Sequence, residues 1–336
     1  MSVKQVIIAG YDMTEFIIDI PATNQEKAEI GQLIINDTLS LGGDNSEGFW
    51  YISNPYSPFY SKDIGDLLVE IYKDSLVINS GYILNITADS KTAQIDIKTE
   101  IYDILNTRAI YISEIDTPAN ITKAILSYYG FDYDLASFNR SDDVHSAYGL
   151  TAQVNLSISD MSTMTVLDLL QQLSIIGVAR LYYYKGKFYY EAYDSTYDIP
   201  VSVDITMSDI AIPIKTYKYE VEPVGSYQIT YAYGDVSGGD SASTKPLKSI
   251  SYGFDNPIRI MTSLGAIYIG ESYLTLSSQD KVVAELGIYM EKGSVVSLRS
   301  GITITSTRLG WTSKRFEVVS IDNSHDFITQ IKAISV

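Results

Sequence analysis

The chain carries two histidines, His145 and His325, 180 positions apart, and no cysteine. Disulfides, thiolate metal sites and cysteine nucleophiles are therefore excluded. A histidine-based metal site or a Ser-His-Asp arrangement would need two distant segments to meet, so both histidines read as solvated or turn-associated. Carboxylates remain. Asp132, Asp134, Asp142 and Asp143 crowd one stretch, and a carboxylate pair can hydrolyse a glycoside, but nothing in this spacing holds two of them across a sugar ring. The stretch reads as a solvated loop after a helix. Asp44, Asn45 and Glu47 echo a calcium loop, yet the alternating oxygen ligands and the spaced closing glutamate are missing. Gly238 and Gly239 lack the spacing of a dinucleotide fingerprint, and no P-loop occurs. No catalytic residue, metal or cofactor is expected.

Tyrosine is the residue in excess, with 28 copies against 9 Phe and 2 Trp. Its ring offers an apolar face and a wet end, which suits half-buried strands and interfaces alike. Two clusters stand out. Phe49, Trp50, Tyr51, Tyr56, Phe59 and Tyr60 fall in the segment 41–62, where Gly42, Gly43, Pro55 and Pro58 suggest an ordered loop with a sticky surface. Tyr182, Tyr183, Tyr184, Tyr189 and Tyr190 fall around the turn Lys185–Gly186. Both are candidate interfaces, since aromatic side chains dominate interface hot spots, and alternate members fit core packing equally.

Acidic side chains outnumber basic ones 41 to 24, for a net charge of −17. A phosphate backbone would be repelled, and the densest basic stretch, Arg308 to Arg315 with Trp311 inside it, suits a hairpin end better than a nucleic-acid site. Sequence-specific DNA binding is not expected. The apolar run Val6 to Ala9 is too short for a signal peptide, and no segment reaches the roughly 18 apolar residues of a membrane span. Synthesis and assembly in the cytoplasm follow as the expectation.

At 336 residues the chain outgrows a single core, so two or three domains are expected. Hydrophobic periodicity divides it. Up to Ile104 short β runs dominate and no helix is evident: Asp66 to Tyr72 and Leu76 to Thr87 form a hairpin, and Thr92 to Thr99 alternates with Ala93, Ile95 and Ile97 on one face. Then Thr117 and Pro118 open a helix to Gly130, and a second helix from about Thr163 to Ile176 buries Val166, Leu169, Leu170 and Leu173 before Gly177. Thr165 and Asp168 hint at a capping box, and a hairpin follows in 179–192. Beyond Pro213 strands return at Tyr217 to Val221 and Tyr227 to Tyr233, with Gly234 to Pro246 as a flexible loop. A third helix is expected at Gln279 to Met290, and strands at Val295 to Thr305, Arg315 to Asp322 and Phe327 to Ser335, the last two parted by the turn Asn323 to Asp326. The fold class is mainly β with an α+β insertion. Two β-barrel-like domains, 1–105 and 216–336, flank an α+β domain at 106–215.

Three stretches carry a resemblance. LLVEIYKDSLVINSGYILNITADSKTAQIDIKT, from Leu67 to Thr99, looks like a first barrel. TVLDLLQQLSIIGVARLYYYKGKFYYEAY, Thr165 to Tyr193, looks like a helix, glycine and hairpin unit. GSVVSLRSGITITSTRLGWTSKRFEVVSIDNS, Gly293 to Ser324, looks like the closing strands of a second barrel. Together they resemble the hub family of tailed phages and contractile injection machines, at the baseplate or tail tip. That resemblance implies a homotrimeric structural hub of the virion. It would join the sixfold tail tube, or a distal tail protein, to a threefold spike or tip protein, with the tape measure protein as a further neighbour. A carboxylate-based cell-wall glycosidase and a carbohydrate-binding adhesin, with the tyrosine hairpin as stacking platform, are the rival readings.

Overall fold

The computed structural model describes residues 4–19, 25–26, 33–34, 38–51, 53–73, 76–184, 186–197, 199–219, 223–239, 243–253, 255–279, 281–298, 300–322 and 327–336. His325, the turn at 323–326, Lys185 and the hairpin tip at 74–75 lie outside the described residues. The fold is mainly β, with half-barrel sheets and a few helices. Cα packing divides the chain into two units, one of Met1–Asn24, Asn36–Leu105 and Asp322–Thr329, the other of Gln25–Ile35, Asn106–Ile321 and Gln330–Val336.

The first unit is built on one antiparallel sheet of seven strands. Their spatial order is Tyr11–Asp12, Lys4–Ile8, Leu68–Lys73, Leu76–Ala88, Thr92–Lys98, Thr38–Asp44 and Ile17–Asp19. Alternation explains its core: Ala93, Ile95 and Ile97 are buried with Val6, Ile8, Leu41, Val69, Ile71 and Ile83, while the intervening residues face outward. Among the described residues the path ends at Tyr11–Asp12 and at Ile17–Asp19. One helix was not foreseen there, Glu100–Leu105.

The second unit holds the longer helices. Thr117 caps Pro118–Tyr128 by accepting from the Asn120 amide at 3.3 Å. The expected second helix runs Val166–Ile176, and its capping box is fully formed, with Thr165 Oγ1 accepting from Asp168 N at 3.1 Å and Asp168 accepting from Thr165 N at 2.9 Å. Between them lies a helix that the sequence reading took for a solvated loop, Leu135–Ala147. Its acidic cluster is not loose: Asp134 caps it by accepting from Ser137 N at 2.9 Å, and Asp142 accepts from Thr117 Oγ1 at 2.6 Å and Asn120 Nδ2 at 3.0 Å. His145, on the same helix, is buried and not solvated.

The helix expected at Gln279 to Met290 is a strand, Val282–Tyr289, and the helix precedes it as Ser263–Ser278. Continuous apolar runs fit a buried strand as well as a helix stripe, and here pairing with Ile210–Lys218 decides. Thr262 caps the true helix by accepting from Gly265 N at 3.1 Å. The loop expected at Gly234 to Pro246 starts instead as a strand, Gly234–Gly239, paired residue by residue with Ser226–Tyr231. Its backbone groups bond although it has almost no side chains to bury. Of Val295 to Thr305 only the end is extended, as Gly301–Ser306, after a short helix Met290–Gly293.

Strands Val201–Ile205, Gly301–Ser306, Trp311–Asp322, Ile328–Ser335, Val282–Tyr289 and Ile210–Lys218 form the large sheet of this unit in that order, with Gln25–Glu26 added on Trp311–Asp322. The tyrosine hairpin, Ala179–Tyr184 with Lys187–Ala192, takes Leu33–Ile34 as a parallel third strand. Two further three-stranded sheets are Ser113–Asp116, Ala152–Asn155 and Ile258–Ile260, and Gly234–Gly239, Ser226–Tyr231 and Leu247–Ser251.

Candidate functional site

Among the described residues no group of His, Asp and Glu side chains could hold a metal ion. Two side-chain oxygens of the calcium-like segment are already engaged. Asn45 Oδ1 accepts from Trp50 N at 2.9 Å, its Nδ2 donates to Asp89 O, and Asp44 Oδ1 accepts from Ser46 N at 2.8 Å, a bond that holds the Asp44 carboxyl below the usual range.

These bonds build the aromatic loop of the first unit. Successive tight turns close it, with Gly48 N, Tyr51 N, Asn54 N, Ser57 N and Tyr60 N each donating to a carbonyl three residues back at 2.8–3.2 Å. Side chains lock the turns: Asn54 Nδ2 donates to Gly48 O at 2.9 Å and Ser57 Oγ to Phe49 O at 2.7 Å. Trp50 is the anchor. Its Nε1 donates to Asp44 O at 2.9 Å and its ring stacks on Phe59 at 5.6 Å. A Cβ at Gly43 would come within 2.6 Å of that Nε1, so only glycine lets the sheet admit the indole.

The loop therefore sorts its six candidates. Trp50 and Phe59 are buried in the core, and Phe49 is half buried against Phe16 at 4.6 Å. Tyr51, Tyr56 and Tyr60 face outward, and Tyr56 is 88% exposed. Tyr11, missed from sequence, joins the exposed side, with Lys62 Nζ 4.7 Å from its ring. No local sequence signal marks it, because the sheet brings it there from another strand.

The hairpin cluster is packed differently. Tyr182, Tyr184 and Tyr189 belong to the core of the large sheet, with Tyr182 stacked on Tyr189 at 5.3 Å. Tyr190 points to the helices, where its hydroxyl donates to Leu173 O at 3.1 Å and its ring meets Phe138 at 5.4 Å. Burial pushes its hydroxyl well above the ordinary tyrosine range. Tyr183 is half buried beside Phe188 at 5.0 Å. Of the eleven candidates, only the three loop tyrosines are exposed.

No protein-family model matches the sequence, and no curated protein matches it. Solved structures do. The 43 kDa tail protein of prophage MuSo2 from Shewanella oneidensis superposes with a TM-score of 0.58 at 12% identity, over 99% of this chain and 98% of that one. A tail protein from Neisseria meningitidis MC58 gives 0.58 at 9% identity, over 99% and 96%. Prophage tail protein gp18 from Listeria monocytogenes EGD-e gives 0.53 at 10% identity, over 98% and 94%. At such identities the likeness concerns the fold, and the resemblance read from the sequence holds at that level: this chain has the fold of phage tail proteins.

Proposed function

We propose that the chain is a structural protein of a phage tail, acting as the hub of its baseplate or tail tip. The observation that carries this reading is the end-to-end superposition, over 99% of this chain and 98% of the prophage MuSo2 tail protein. Shared length and shared fold together favour a shared place in an assembly over a borrowed domain. The hub is a homotrimeric ring that joins the sixfold tail tube, or a distal tail protein, to a threefold spike or tip, with the tape measure protein as a further neighbour. Barrel-like parts at 1–105 and 216–336 flank the α+β part at 106–215 in each copy. The protein resides in the virion tail tip after assembly in the host cytoplasm, its role is structural, and DNA passes it during ejection without being held. Among the described residues the first sheet ends in Tyr11–Asp12 and Ile17–Asp19 with no further strand, which supports association, because unpaired strand edges need partners.

Electron microscopy of the assembled protein, with light scattering of a concentrated sample, tests the proposal. A threefold ring is expected. A monomeric mass together with an assembly lacking threefold symmetry would remove the hub reading.

A further inference from the structure

In a chain of net charge −17, residues 300–316 hold three basic side chains, Arg308, Lys314 and Arg315, and no acidic one. They form one corner of the second unit's large sheet, where Gly301–Ser306 passes through a single tight turn, Thr307–Leu309, into Trp311–Asp322. The corner is fixed. Gly310, at a φ of +67°, donates its amide to Thr307 O at 3.2 Å, and the Ser313 amide donates to Thr305 Oγ1 at 3.0 Å. Trp311 is its floor: the half-buried ring packs on the sheet core and lies 5.1 Å from Phe316.

The three cations differ in what they have to spare. Arg315 is used within the fold, its Nη2 donating to Ile199 O at 2.8 Å. Lys314 Nζ stands over the Trp311 ring at 4.9 Å and over Phe316 at 5.7 Å, and Arg308 is exposed. Neither of these two makes a hydrogen bond or ion pair with a described residue. Acids close by in the sheet are already engaged, since Asp204 accepts from Thr303 Oγ1 and Glu317 accepts from Arg180. Tryptophan, arginine and lysine on a rigid turn, with positive charge uncompensated, have the composition of a contact for an acidic partner. A nucleic acid fits poorly, because two free cations neutralise too few phosphates against the charge of the whole chain. A second copy fits better. Like-charged copies repel unless their contact pairs opposite signs, and each copy offers acids for the other side. Glu114 is one, on the strand Ser113–Asp116 whose side chains are all exposed, and it makes no hydrogen bond or ion pair with a described residue.

We propose that the corner of Arg308, Trp311 and Lys314 docks on an acidic surface of a second copy of this chain. The proposal deepens the hub reading and rests on the self-association within it.

Sedimentation equilibrium of the intact chain at about 0.05 M and about 0.5 M sodium chloride tests it, with electron microscopy of the same samples reading symmetry. Wild type should associate, and its affinity should fall as salt rises. Arg308→Glu and Lys314→Glu should each weaken association by about tenfold at low salt. Lys187→Glu, the same charge change at an exposed lysine on the hairpin strand, should not. Arg308 is exposed, so its variant remains a test even where Lys314→Glu disturbs the packing on Trp311. A threefold wild-type assembly that Arg308→Glu leaves intact would overturn the docking and spare the hub, whereas a wild type monomeric at both salts would overturn both. Equal weakening by Lys187→Glu would assign the effect to general repulsion, and duplex DNA binding lost in Arg308→Glu would assign the corner to phosphate; either result sinks the proposal.

Discussion

At His145 the surrounding packing decides the protonation state. The ring is buried, its Nε2 lies 2.9 Å from Gly177 O, and it meets Tyr190 edge-on at 5.9 Å. Burial lowers its pKa from 6.5 to about 4, against the opposing pull of the Gly177 carbonyl and Asp142. The unfolded chain therefore takes up a proton near pH 6.5 that the folded chain refuses until about pH 4. Stability held above pH 6.5 drains away as pH falls toward 4, by up to about 3 kcal/mol for this one group. Urea unfolding of wild type and His145→Gln at pH 7.5 and 4.5 checks this: the variant should lose less stability across the interval, and an equal loss would assign the acid sensitivity elsewhere. None of this was legible in the sequence. A histidine among Asp142, Asp143 and Ser146 reads as solvated, and only the helix Leu135–Ala147 turns it inward, by packing on the hairpin strand Lys187–Ala192.

Elements with local signals were read correctly, and those settled by tertiary partners were not. Pro118 after Thr117, and Thr165 with Asp168, are signals within one helical turn, and both helices start where these residues place them. The helix Ser263–Ser278 offers only its Thr262 cap, since its glycines and tyrosines produce no clean apolar stripe, and it packs on the strands Ser226–Tyr231 and Gly234–Gly239. Gly270 is the point of contact: a Cβ there would lie 2.2–2.4 Å from the Tyr227 ring, whose hydroxyl donates to Glu271 at 3.0 Å. Gly270→Ala sets two effects against each other. Alanine favours an isolated helix by about 1 kcal/mol, whereas overpacking a fitted contact costs about 1–3 kcal/mol. Tyr227 is buried and tied at its hydroxyl, so it has little room to yield and the clash should win, with a net loss of about 1–2 kcal/mol. Equilibrium unfolding measures it, and pairing the change with Tyr227→Leu should recover much of the loss; a stabilised Gly270→Ala would show that the helix shifts freely on its sheet.

For the molecule as a whole, tyrosine content predicted surfaces of two kinds, and burial separates them. The hairpin tyrosines sit where a strand pair is covered on both faces, a relation that no local pattern reveals, while the loop tyrosines stand on a frame of backbone turns and a buried tryptophan. Rings carried on a hydrogen-bonded backbone frame and left in water lose little entropy on docking, and on that ground we propose Tyr51, Tyr56 and Tyr60 as the part of the aromatic set that contacts another chain. Replacing all three by serine should leave the isolated fold nearly unchanged, since exposed substitutions shift stability by less than about 0.5 kcal/mol each. Association should suffer far more. A tyrosine buried at the centre of an interface contributes about 2 kcal/mol, and about 1.4 kcal/mol is already tenfold in affinity. Sedimentation equilibrium over a concentration series, alongside urea unfolding, reads the two effects separately. Assembly at wild-type concentrations by the triple variant would sink the loop as an interface, and a matching fall in unfolding free energy would mark these rings as part of the fold itself.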